Sequence, residues 1–174
     1  MNRKIQISFI SISSIFFILF VPVGLASDTQ MERETLRSVS GVIVSINLTS
    51  RPDMPEIKHQ LKSDIELRLR MAGITVTSTE RMTAPVPILL ELVGAVVLRG
   101  ESKSNYAFAL SLYVNQFVIM ENNPSIKSLA TTWAVGPYLV GGGRANELNE
   151  QLREKAKDLV DLFINAYLSV NPKK

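Results

Sequence analysis

The sequence predicts an α+β domain of order β-α-β-β-β-β-α. Its sheet is mostly antiparallel, two helices pack on one face, and a cleavable signal peptide precedes it. Three observations predict this. Between Pro87 and Met120, apolar residues recur at every second position, the period of a strand with one face buried. Two other stretches, after Asp53 and after Asn146, carry apolar residues at steps of three and four, the period of a helix lying on a sheet. Gly, Pro and Asn clusters punctuate the segments.

The chain opens with Arg3 and Lys4, then an apolar stretch from Ile5 to Val23, then Gly24-Leu25-Ala26. A basic start, an apolar run and small residues at the cleavage positions predict a Sec-type signal with cleavage after Ala26. That places the protein in the periplasm or outside the cell. The predicted division is 1–26 signal peptide, 27–40 flexible lead-in and 41–174 one α+β domain, with no transmembrane segment after signal removal. The chain has no Cys, which excludes disulfides, thiolate metal sites and the lipid anchor of a bacterial lipoprotein. The first 26 residues hold two bases and no acid, leaving 17 basic and 16 acidic side chains in the rest. A near-neutral chain gives no reason to expect nucleic acid as a partner.

In order, residues 28–40 are polar and mixed in charge, hence the lead-in. Val42-Ile43-Val44-Ser45-Ile46 reads as a strand covered on both faces. Asp53 can cap a helix with Pro55 in its first turn and Glu56 as capping-box partner. Ile57, Leu61, Ile65, Leu69 and Ala72 form its apolar stripe, and Gly73 stops it in a left-handed conformation. Lys62–Glu66, Glu66–Arg70 and Asp64–Arg68 are spaced to pair along it.

Ile74 to Ser78 alternates as a half-exposed strand, and Pro85 and Pro87 keep the following loop out of the sheet. Ile88, Leu90, Leu92, Val96 and Leu98 alternate on the first hairpin arm, and Tyr106 to Met120 on the second, around a turn at Gly100–Asn105. Glu121 to Ser125 makes a second turn, and Leu129 to Val135 alternates again. Gly136-Pro137 breaks that strand, with Tyr138-Leu139-Val140 resuming it. Leu148, Leu152, Ala156, Leu159, Phe163, Ala166 and Val170 mark the last helix, which Asn171-Pro172 ends.

At Asn105–Met120, Asn123-Pro124-Ser125-Ile126, Ala130-Thr131-Thr132-Trp133 and Asp158–Pro172, the chain resembles a family of uncharacterised secreted bacterial proteins. A shared feature is a helix ending in a Leu-Arg-x-Ala-Gly-Ile stretch, here Leu69-Arg70-Met71-Ala72-Gly73-Ile74. The element order is also similar to small periplasmic α+β domains, such as the N-terminal domain of TolB and the auxiliary lipoproteins of lipid transport. The resemblance implies a fold and no activity, and the Cys that anchors those lipoproteins is absent.

Little chemistry is written in the residues. His59 is the single His, off the apolar stripe of its helix, with no Gly-x-Ser-x-Gly elbow beside it. One His and no Cys leave no transition-metal set, and no EF-hand spacing occurs. Glu91 stands inside an apolar run; buried, it could serve a carboxylate-based hydrolase, but on the open face of the sheet it is structural. Gly141-Gly142-Gly143-Arg144 before a helix could hold an anion through backbone N–H groups, with Trp133 and Tyr138 flanking it. Tyr113, Phe117 and Ile119 fall on the sheet face opposite the helices and are candidates for contact with a partner. No catalytic residue, metal site or cofactor is expected. The reading is a non-catalytic envelope accessory or binding protein with an envelope protein as partner; the alternative is a carrier of an apolar or anionic small ligand or lipid.

Overall fold

The computed structural model describes residues 28–50, 53–77, 88–99 and 105–172. The stretch expected to be a signal peptide, the loop holding Pro85 and Pro87 and the turn at residues 100–104 lie outside them.

Helix α1 (Gln30–Glu34) precedes strand β1 (Val42–Ser50) and helix α2 (Pro55–Met71). Strands β2 (Ile88–Arg99), β3 (Asn105–Met120) and β4 (Asn123–Arg144) follow. A 3₁₀ turn (Ala145–Glu147) leads into helix α3 (Leu148–Val170). The four-stranded sheet has the order β1-β2-β3-β4; β1 runs parallel to β2 and the other pairs are antiparallel. This is the expected mixed α+β arrangement, with α2 and α3 on one face. The strand expected at Ile74–Ser78 reduces, among the described residues, to a single parallel bridge from Val76 to Val42.

Burial follows the alternation. Leu90, Leu92, Phe108, Leu110, Leu112 and Val114 are sealed beneath the helices. From α2, Leu61, Ile65 and Leu69 meet them; from α3 the whole predicted stripe, Leu148 to Val170, is buried. Gly73 takes φ +83 at the end of α2, as expected for its left-handed stop. The start of α2 differs. Met54 is the cap residue and no side chain caps the helix; the Asp53 carboxylate instead accepts from the Met54 N–H at 3.0 Å and from Lys58 at 2.6 Å. Lys62–Glu66 and Glu66–Arg70 pair along the helix. Asp64 and Arg68 turn instead to α3, Asp64 to Arg153 and Arg68 to Asp161.

Two elements differ from the sequence reading in ways that matter. Gly136-Pro137 does not end its strand: β4 continues through the pair, with Gly136 at φ +109 and the peptide cis. A side chain at Gly136 would come within 2.8 Å of the Leu110 carbonyl oxygen, so the passage requires glycine on both counts.

The second difference is the segment read as a flexible lead-in. Thr29 caps α1 in a reciprocal capping box with Glu32. Leu36 is completely buried in the core. Asp28 accepts from the Trp133 indole Nε1 at 3.0 Å and from Arg33 Nε at 2.8 Å.

The Arg33 guanidinium holds the Asp28 carboxyl below the ordinary carboxylate range, with the Trp133 N–H adding to this against partial burial. A folded pKa below the unfolded one gives stability that is complete above about pH 4 and lost as pH falls through the folded value. Trp133 is the single tryptophan and reports on this contact. Its fluorescence should show an acid transition that Asp28→Asn removes; an identical transition in that variant would separate α1 docking from Asp28 ionisation.

Candidate functional site

The sheet strands differ in length, and the site arises from that difference. The last pairing of β3 with β2 is Asn115 to Leu89. Beyond it, Gln116 to Met120 pair, among the described residues, with β4 alone, so the end of this hairpin forms a two-stranded arm. The arm closes at Glu121 and Asn122, between Met120 and its partner Asn123.

Alternation places its side chains. Phe117 faces Leu129 across the strands, and Ile119 faces Lys127, all on the side of the sheet away from the helices. Val118, Met120 and Ile126 turn to the other side. Phe117 is 64% exposed and Ile119 61%, and Met120, Ile126 and Leu129 are exposed as well. The arm is therefore apolar on both faces.

Polar side chains fix its root. Gln116 Nε2 donates to the Thr35 carbonyl at 2.9 Å and to Thr132 Oγ1 at 2.8 Å. On the other face Asn115 Nδ2 donates to Glu91 at 3.2 Å, and Thr131 Oγ1 donates to Asn115 Oδ1 at 2.7 Å. Glu91 thus lies on the face away from the helices, between Ser45 and Tyr113 in register, and is held by a neighbouring amide.

Of the other predicted site, Trp133 and Arg144 are not brought together. Trp133 is not a ligand platform: it is 1% exposed and packs edge-on to Phe163, ring centroids 5.6 Å apart. Trp133 pairs near Val114 and Arg144 pairs with Asn105. Their partners on β3 are nine steps apart, which at about 3.3 Å each puts the two roughly 30 Å from one another. The space above Gly143 is filled by the Tyr106 ring, whose hydroxyl would be 2.5 Å from an added Cβ. The Arg144 N–H points at the Glu147 carboxylate, at 3.4 Å. The side chain of Tyr138 and the surroundings of Gly141 and Gly142 lie outside the described residues.

The carrier reading meets a filled interface, because Leu61, Ile65, Leu159 and Phe163 occupy the space between helices and sheet. His59 is exposed on α2. Among the described residues, no group of three or more His, Asp or Glu is placed to hold a metal ion, and no helix is long and apolar enough to cross a membrane.

Of the arm, the sequence marked Phe117 and Ile119, and placed Tyr113, which is half-buried, with them. Met120, Ile126 and Leu129 were not singled out. Counting back from a turn at Glu121-Asn122 would set Ile126 opposite Phe117; the register shift between Ile119 and Met120 sets Leu129 there instead.

No family model and no curated protein matches the chain. Solved structures show distant likenesses. The PelC dodecamer of Paraburkholderia phytofirmans aligns at 15% identity and TM-score 0.42, over 72% of this chain and 88% of that one. A methionine variant of it aligns at 18% and 0.41, over 72% and 90%. Rare lipoprotein B of Shewanella oneidensis aligns at 10% and 0.35, over 73% and 96%. One of these proteins is a lipoprotein, and what they share with the chain is no more than a distant likeness of fold.

Proposed function

We propose that the protein is a non-catalytic accessory of the cell envelope that grips a partner protein with the β3–β4 arm. The carrying observation is the arm itself: a two-stranded extension, apolar on both faces, whose root is braced by Gln116 and Asn115. Contiguous exposed apolar surface marks an interaction site. Exposure on both faces fits a partner that surrounds the arm better than one that meets a flat surface. The polar tip, Glu121-Asn122-Asn123, favours a protein cleft over the interior of a bilayer. The envelope is read from Arg3-Lys4, the apolar stretch and Gly24-Leu25-Ala26.

The test is a photo-cross-linking residue at Phe117 in living cells, with one at Glu154 on α3 as control. A discrete protein adduct from the arm alone is expected. Phe117→Ser with Leu129→Ser should cut recovery of that protein roughly tenfold, as loss of an apolar anchor does, while the thermal midpoint stays put. No adduct from the arm, or equal adducts from both positions, would sink the proposal.

A further inference from the structure

A second surface, separate from the arm, lies at the other side of the sheet. Strand β1 is an edge strand. The Val42 N–H donates to the Thr75 carbonyl and its own carbonyl accepts from Thr77, both at 2.9 Å, so Val42 faces away from β2. Alternation in a parallel strand then turns the backbone groups of Val44, Ile46 and Leu48 the same way. The bridge at Val42 covers only the first of these positions. Beyond it, no described residue pairs as a strand with the outer edge of β1.

Beside that edge runs a groove floored by Val44 and Ile46 and walled by Lys58, His59 and Lys62 of α2. Among the described residues its lining holds three basic side chains and no carboxylate. Asp53 holds Lys58 at 2.6 Å, whereas Lys62 reaches Glu66 only at 4.0 Å, and its side chain is half exposed.

We propose that this groove binds an extended acidic segment of a partner protein, added as a further strand on β1. Backbone N–H and C=O groups that, as here, no described residue pairs are a template for such addition. The apolar floor takes one set of alternate side chains, and the basic helix wall selects carboxylates among the rest. The juxtaposition is specific to this edge: β4, the other outer strand, carries Lys127 and Arg144 as its only charged residues.

The test uses purified protein and two short fluorescein-labelled peptides, alternating Glu-Val and alternating Lys-Val, read by anisotropy. Binding of the acidic peptide alone is expected. Lys58→Glu with Lys62→Glu should weaken it roughly tenfold, as reversed charge at an interface does. Ile46→Pro should abolish it, because it removes an outward N–H while sparing the ladder to β2. The charge variant keeps the test decisive should the proline variant fail to fold. Three results overturn the proposal: no binding of the acidic peptide, equal binding of both peptides, or an affinity unmoved by the charge reversal. So does a self-associating chain that Ile46→Pro makes monomeric without any peptide binding, since the edge would then serve a second copy.

Discussion

Trp133→Ala is expected to destabilise the protein by about 3–5 kcal/mol, the cost of truncating a large buried aromatic and leaving a cavity. The position concentrates several contributions. Trp133 is 1% exposed on the helix-facing side of β4, next to Val114 of β3. Its ring meets Phe163 of α3 at an interplanar angle of 68°, an edge-to-face pair that adds about 0.5–1.5 kcal/mol beyond burial. Its Nε1 donates to Asp28, so the residue ties the segment before β1 to the strand at the far end of the sheet order. Urea unfolding followed by circular dichroism measures the loss. Trp133→Phe separates the causes: it keeps most of the apolar volume and removes the donor, and about 1 kcal/mol is expected, the usual net worth of one hydrogen bond. A loss below about 1 kcal/mol for Trp133→Ala would place the indole outside the core.

How much of this was legible in the sequence follows from the range of the interactions. The hairpin strands and both long helices announce themselves through period, because each buries one face and every position on that face must be apolar. That is why Leu148 to Val170 and Tyr106 to Val114 fall where the alternation puts them. Strand β4 was harder. Pro and Gly are read as strand breakers, and the continuation past Gly136 depends on a positive φ and on tight contact with Leu110 and Ser111, facts of tertiary packing. The ion pairs divide in the same way. Glu66 pairs with Lys62 and Arg70 at helical spacing, but Asp64 and Arg68 choose partners on α3, 89 and 93 residues away.

The candidate surfaces were half legible. Alternation gives the side on which Phe117 and Ile119 stand, but that they fall on a stretch paired, among the described residues, with β4 alone follows from the register of β2 on β3. Pro85 and Pro87 mark where β2 begins, but only the strand register sets that point opposite Asn115. The groove at β1 was hidden for a similar reason. His59 reads as solvated and Lys62 as part of a polar helix face, and only the parallel placement of β1 at the sheet edge sets them beside backbone groups that no described residue pairs.

The segment before β1 yields the other large effect. Gln30-Met31-Glu32-Arg33-Glu34 has no apolar stripe, so its polarity reads as solvent-facing chain, and indeed none of its residues is buried. What docks it lies at its flanks. Leu36 inserts fully into the core, and burying a leucine there is worth about 2–5 kcal/mol on truncation to alanine. Asn171 Nδ2 donates to the Leu36 carbonyl at 2.8 Å, and Gln116 to that of Thr35 at 2.9 Å. Asp28 meets the Trp133 N–H. Deleting residues 28–37 removes all of these together and leaves three donors to find water. The expected cost is at least about 4 kcal/mol, dominated by the Leu36 cavity with hydrogen-bond losses of about 1 kcal/mol each added to it. Leu36→Ala alone should account for more than half of it. Denaturation midpoints measure the cost, and the Trp133 emission should move to the red as its indole gains water. A frayed segment would behave otherwise: its removal would leave both the midpoint and the emission where they were. The same deletion also loosens the base of the arm through Gln116. If the arm is the gripping element, recovery of its cross-linked partner should fall with the deletion even at temperatures where the remaining domain stays folded.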